Sequence, residues 1–185
     1  HFITPQGWAD CLVAAGLLVR QADRYTFSGQ YLQIPSPPEG GEWRKDWFNI
    51  IHRAELPSDI SFEMYIDGAY TKDTRNDPTG IQISGKSGDN LYIFKSIDKY
   101  LEMPELKNFV TSFVQSCGVP ISQILVEPKA SGKSLVQLLR RETRYNVSEI
   151  KTNFVRYSKI ERARASSPFI EGGRVFIVKD NWNDA

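Results

Sequence analysis

The sequence predicts an α/β fold, a mixed β-sheet of about five strands with helices on both faces. Three patterns carry this expectation. Ile60, Phe62, Met64 and Ile66 share one side of a period-two run that ends at Asp67, the alternation of a strand with one buried face. Leu106, Phe109, Val110, Phe113, Val114 and Cys117 recur at spacings of three and four, the stripe of a helix lying on a core. The apolar run Ile124-Leu-Val126 leads through Glu127 into a second helical pattern, so strands and helices alternate along the chain.

Taken in order, residues 1–30 hold a short amphipathic stretch, Trp8 to Leu18, and Tyr25 to Pro35 follows. The segment Pro35 to Gly41, with three prolines and two glycines, lacks the donors for a helix or an interior strand and reads as a linker. Residues 1–48 are therefore expected to be an N-terminal arm and linker, and residues 49–185 a single domain. Trp43, Trp47 and Phe48 are expected to pack onto that domain. Thr79 to Gly85 and Leu91 to Ile97 make two more strands around a hairpin turn at Lys86 to Asn90. Pro104 opens the first helix and Gly118 closes it. Gln123 to Glu127 is a fourth strand. Ser134 to Arg144 is a helix with Leu135, Leu138 and Leu139 inward, and Val147 to Lys151 is a short fifth strand. A last helix, Lys159 to Ile170, stops at Gly172-Gly173, and Arg174 to Val178 adds an edge strand. A three-strand meander followed by helix, strand, helix, strand, helix is the element order of the ribonuclease H-like fold. Its first and fourth strands lie side by side at the centre, which makes Asp67 and Glu127 neighbours.

Composition narrows the function. At 185 residues and 41% hydrophobic, the chain is long enough for one domain with a sizeable core. No apolar run approaches the roughly 20 residues of a spanning helix, so a membrane is not expected among its partners. Cys11, Cys117, His1 and His52 show no zinc-ligand spacing, which disfavours a structural zinc site or a disulfide framework and fits a reducing cytoplasm. The net charge of +1 conceals an asymmetry. Residues 129–164 carry ten Lys/Arg against three Glu, whereas residues 55–105 carry ten acids against five bases. Taken singly, these charges read as solvated faces; as a block, a basic excess beside acids suits a site that draws in a phosphodiester backbone.

Two chemistries compete at residues 127–134. Ser131-Gly132-Lys133-Ser134 copies the end of a phosphate-binding loop, but that motif needs glycine where this chain has Glu127, and a carboxylate there repels phosphate. The other reading pairs Glu127 with Asp67. Like charges held that close need a cation between them or a proton on one, and oxygen ligands suit Mg²⁺ or Mn²⁺.

Five segments in order then support a resemblance: Gln30-Tyr-Leu-Gln-Ile-Pro35 before the linker and Trp47-Phe48; Tyr65-Ile-Asp67-Gly-Ala-Tyr70 with Asp77-Pro-Thr79-Gly80; Val126-Glu127-Pro-Lys-Ala-Ser-Gly132; Lys159-Ile-Glu-Arg162-Ala; and Glu171-Gly-Gly-Arg174-Val. Together they resemble the nuclease domain of the large terminase subunit of tailed bacteriophages and prophages. The resemblance implies a metal-dependent endonuclease that cuts concatemeric double-stranded DNA by two-metal phosphodiester hydrolysis, with two Mg²⁺ or Mn²⁺ ions. Asp67 and Glu127 would be the catalytic, metal-binding acids and Asp73 an auxiliary ligand. Asp77 reads as a turn former. Lys129, Lys133, Lys159 and Arg162 would contact DNA, with the last two placed to meet either phosphates or the acidic site. The implied partners are double-stranded DNA, the terminase ATPase domain, the small subunit and the portal protein, in a bacterial host cytoplasm. The family's third catalytic acid lies beyond the segment matching Arg174 to Trp182, and neither Asp180 nor Asp184 takes its place. The expectation is a fragment truncated at its C-terminus. Two alternatives stay open: a non-catalytic DNA-binding or portal-docking module, and another ribonuclease H-like nuclease of resolvase or transposase type.

Overall fold

In the computed structural model, which describes residues 43–68, 78–128, 130–151 and 159–182, seven strands form one mixed sheet. They are β1 (Asn49–Ile51), β2 (Ser61–Asp67), β3 (Thr79–Ser87), β4 (Asn90–Lys99), β5 (Ile121–Val126), β6 (Val147–Glu149) and β7 (Val175–Val178), in the order β1-β7-β4-β3-β2-β5-β6. The helices are α1 (Met103–Ser116), α2 (Ala130–Glu142) and α3 (Lys159–Glu171). β3 runs antiparallel to both its neighbours and every other pairing is parallel. The run β4-β3-β2-β5-β6 is the five-strand ribonuclease H-like core, with the first and fourth strands of the pattern adjacent.

The expected count of about five strands is short by two. β7 is not an edge, because β1 pairs parallel beyond it through Asn49↔Phe176 to Ile51↔Val178. Three residues are too few to display a period, and β1 is held by non-local bonds: Lys179 N–H donates to the Ile51 carbonyl at 2.8 Å and Asn49 Nδ2 to the Gly173 carbonyl at 2.6 Å.

One sheet face carries the main core. Met64, Ile66, Ile81, Ile83, Phe94, Ile124 and Val126 pack there against Leu106, Val110 and Phe113 of α1 and Leu135, Val136 and Leu139 of α2. Each fully buried aliphatic side chain contributes about 1.5–3 kcal/mol. In α2, Val136 takes the inward place expected for Leu138, which is only half-buried; the helix starts at Ala130 rather than Ser134. α1 ends at Gly118, whose φ of +84° is the left-handed turn that stops a helix. The opposite face receives α3. Ile170 packs on Leu91, Ile93 and Val175, joined by Trp43, Trp47 and Phe48. Trp43 Nε1 donates to the Ala163 carbonyl at 3.2 Å and to Ser167 Oγ at 3.1 Å, so the aromatics pack on the domain as expected.

The β3–β4 ladder shifts register between Ile83 and Ser84, leaving Phe94 as an extra residue on β4. Such a bulge changes which face each later residue of its strand presents. Gly85, on the β2 side of β3, marks a close approach of backbones. A Cβ there would collide with Ile60 Cγ2 and stand 2.7 Å from the Ser61 carbonyl oxygen. Gly85→Ala is expected to cost about 1–3 kcal/mol, read as a thermal midpoint lower by roughly 2–12 °C. An unchanged midpoint would mean that β2 and β3 separate there without cost. Among the described residues, no helix is long and apolar enough to cross a membrane.

Candidate functional site

β2 and β5 are parallel, with Ile66 paired to Val126. The Glu127 N–H donates to the Ile66 carbonyl at 2.9 Å, which carries the pairing one residue past the end of β5. Asp67 and Glu127 therefore leave the sheet side by side. Because Ile66 and Val126 enter the main core, period-two alternation sends Asp67 and Glu127 to the α3 face.

The same face carries polar contacts further back along the strands. Tyr65 donates its hydroxyl to Glu63, and Gln123 Nε2 donates to Ser148 Oγ at 3.0 Å. Asp67 is half-buried at the rim, whereas Glu127 retains only 4% of its accessible surface. Taking a carboxylate that far from water costs several kcal/mol unless charge and hydrogen bonds compensate. A compensating charge comes from α3: Arg162 Nη1 stands 3.9 Å from Glu127 Oε1, and Arg162 is itself 7% exposed. At that distance the contact is an ion pair rather than a direct hydrogen bond. Arg162, expected to meet either phosphates or the acidic site, lies beside Glu127 and is turned away from solvent.

The remaining expected site residues divide by location. Lys133 is exposed on α2. Lys159 opens α3, though its side chain lies outside the described residues, as do Asp73, Asp77, Lys129 and Asp184. Asp180, just past β7, lies with Oδ2 4.0 Å from Lys95 Nζ, away from the Asp67–Glu127 pair. Among the described residues, no three His, Cys, Asp or Glu side chains gather closely enough to hold one metal ion. The pair itself fits a hard divalent cation, since two carboxylates with water completing the shell are an ordinary Mg²⁺ site.

One acid at this edge is not found by sequence reasoning. Asp67 pairs across β2–β3 with Gly80, and Gly80 pairs across β3–β4 with Asp98, so the three occupy one row and share a face. Burial raises the pKa of the Asp98 carboxyl from its ordinary value. In the next row inward, Gln82 pairs with Ser96; they are 2% and 6% exposed. Gln82 Nε2 and Ser96 Oγ have no hydrogen-bond partner among the described residues.

Neither a family model nor a characterised protein sequence matches the chain. Among solved structures, the large terminase of a thermophilic bacteriophage aligns with 74% of this chain at a TM-score of 0.50 and 15% identity. The fold is that of part of a phage large terminase. The chain spans 32% of that terminase's length. The same large terminase in complex with ATP-gamma-S also gives a TM-score of 0.50 at 15% identity, again over 74% of this chain and 32% of that one. The nuclease domain of the bacteriophage SPP1 large terminase, g2p, with bound Mn, gives 0.44 over 71% of this chain and 70% of that domain, at 12% identity. What is shared with the thermophilic phage's large terminase at this identity is the fold; the chemistry of the site rests on Asp67, Glu127 and Arg162 themselves.

Proposed function

We propose that this chain is the nuclease domain of a viral DNA-packaging terminase, an endonuclease that hydrolyses phosphodiesters of double-stranded DNA with Mg²⁺ or Mn²⁺. The observation that carries this reading is the placement of Asp67 and Glu127 at adjacent ends of the central parallel strands, one half-exposed and one buried against Arg162. Asp67 and Glu127 would hold the cation. A divalent ion bound there neutralises the two carboxylates and supplies Lewis acidity toward a phosphate oxygen or a water. Arg162 fixes the Glu127 carboxylate from the side away from solvent, and half-exposed Asp67 is the group that meets substrate. Lys133 and the basic block 129–164 attract the DNA backbone without reading bases. A second ion would need a further acid beside this pair. The ATPase domain, small subunit and portal protein enter as partners of the whole terminase under the same proposal.

The test is cleavage of supercoiled plasmid in Mn²⁺ by this chain. The expected result is nicking and linearisation that EDTA abolishes and that declines steeply with salt, as phosphate-dominated binding does. The second reading, a DNA-binding or portal-docking module without catalysis, is favoured by the want of a third grouped acid among the described residues. Inert protein that still retains DNA at low salt would replace the nuclease by that module.

A further inference from the structure

We propose that Asp98 is a third carboxylate of the Asp67–Glu127 site, acting on the cation through bound water across the gap left by Gly80. This rests on the nuclease reading and deepens it.

Three observations carry it. The row Asp67, Gly80, Asp98 places two carboxylates on one face with a residue lacking a side chain between them. Strands lie about 4.8 Å apart, so the backbones of the two aspartates start roughly 10 Å from each other, a span that water can bridge. That agrees with the described residues holding no group of three ligands within reach of a single ion. Second, Asp98 leans into the gap rather than out of it: its Oδ1 lies 3.8 Å from where a Gly80 Cβ would stand, and no other described heavy atom outside Gly80 and its chain neighbours comes within 4 Å of that point. Among the described residues, the space above Gly80 is bounded by a carboxylate alone. Third, Gln82 and Ser96, both more than nine-tenths buried, lie one row inward on the same face, with Nε2 and Oγ lacking partners among the described residues. Buried polar groups in that condition are met by ordered water or a ligand. A water chain over Gly80 would serve Gln82, Ser96 and Asp98 together and end at the cation. Mg²⁺ retains much of its water shell, so an acid one strand removed is suited to hold that shell by accepting hydrogen bonds.

Outer-shell partners of this kind typically change metal affinity 10- to 100-fold. The test is direct Mn²⁺ binding to the metal-free chain, by the loss of the free-ion electron paramagnetic resonance signal. Four variants are compared: Asp67→Ala, Asp98→Asn, Gly80→Ala and Asp89→Asn. Gly80→Ala adds a methyl at ordinary contact distance from Asp98 and displaces water without breaking the strand. Asp89 lies in the β3–β4 turn and serves as a charge control. The expected result is strong loss in Asp67→Ala, affinity weakened about 10-fold in Asp98→Asn and in Gly80→Ala, and no change in Asp89→Asn. Wild-type affinity in Asp98→Asn, with Asp67→Ala still defective, overturns the role of Asp98 and leaves the site intact. Affinity unchanged by Asp67→Ala, or no Mn²⁺ binding by the wild-type chain, overturns the site itself.

Discussion

Asp67→Ala is expected to reduce Mn²⁺-dependent plasmid cleavage by roughly 10³-fold or more, equivalent to about 4 kcal/mol of transition-state stabilisation. The reason is its position. Asp67 is the half-exposed member of the pair, so it is the carboxylate a substrate phosphate and a cation can reach together, while Glu127 is engaged from behind by Arg162. The substitution should leave the fold in place, since Asp67 ends its strand outside the apolar clusters. It also removes one of two adjacent like charges. Added Mn²⁺ stabilises the wild-type chain by mass action, about 2.7 kcal/mol at a hundred times its dissociation constant, and that gain should vanish in the variant. Cleavage and Mn²⁺ stabilisation that both survive Asp67→Ala would remove this residue from the site.

What the sequence discloses of this arrangement depends on the range of each interaction. β2 and α1 are legible because their periods are local: the alternation before Asp67 and the stripe from Leu106 to Cys117 each name a buried face without reference to the rest of the chain. The neighbourhood of Asp67 and Glu127 is legible through element order, which brings the first and fourth strands of the pattern together. β1 is not, because three residues show no period and its place is fixed by bonds to β7 and its flanks, more than 120 residues away. α3 is legible as a helix but not in its orientation. Its buried face carries Arg162, Ser166 and Ser167, which a hydrophobicity pattern assigns to solvent. Asp98 is hidden by the Phe94 bulge. Counting outward from the Ser87↔Asn90 pair puts Gly80 opposite Ile97; the extra residue moves the pairing to Asp98 and changes the face on which that carboxylate emerges. A single inserted residue thus decides whether the strand ends in an apolar or an acidic contribution to the site, and no local signal announces it.

Arg162→Met is expected to destabilise the metal-free protein by about 3–5 kcal/mol, read by urea unfolding at pH 7. The thioether occupies much of the guanidinium's volume, so lost packing is a minor part of the change. The larger part is electrostatic, because Glu127 at 4% exposure would stay buried without the charge that stands 3.9 Å from it. The decisive comparison adds Glu127→Gln. If the cost of Arg162→Met arises from the charge lost beside the Glu127 carboxylate, the double variant Glu127→Gln/Arg162→Met should recover most of the lost stability, since exchanging both members of a buried pair for neutral groups is often neutral or favourable. The double-mutant cycle should then show a coupling of at least about 2 kcal/mol between the two positions. A guanidinium that only covers the surface predicts the opposite, a single-variant cost below about 1 kcal/mol and additive effects. Metal separates the two pictures further. A cation bound by Asp67 and Glu127 supplies the positive charge that Arg162→Met removes, so Mn²⁺ should stabilise this variant by more than it stabilises the wild-type chain. That excess exists only if Glu127 is shared between Arg162 and the metal, and an equal gain in both proteins would show that the carboxylate beside Arg162 is not one of the ligands.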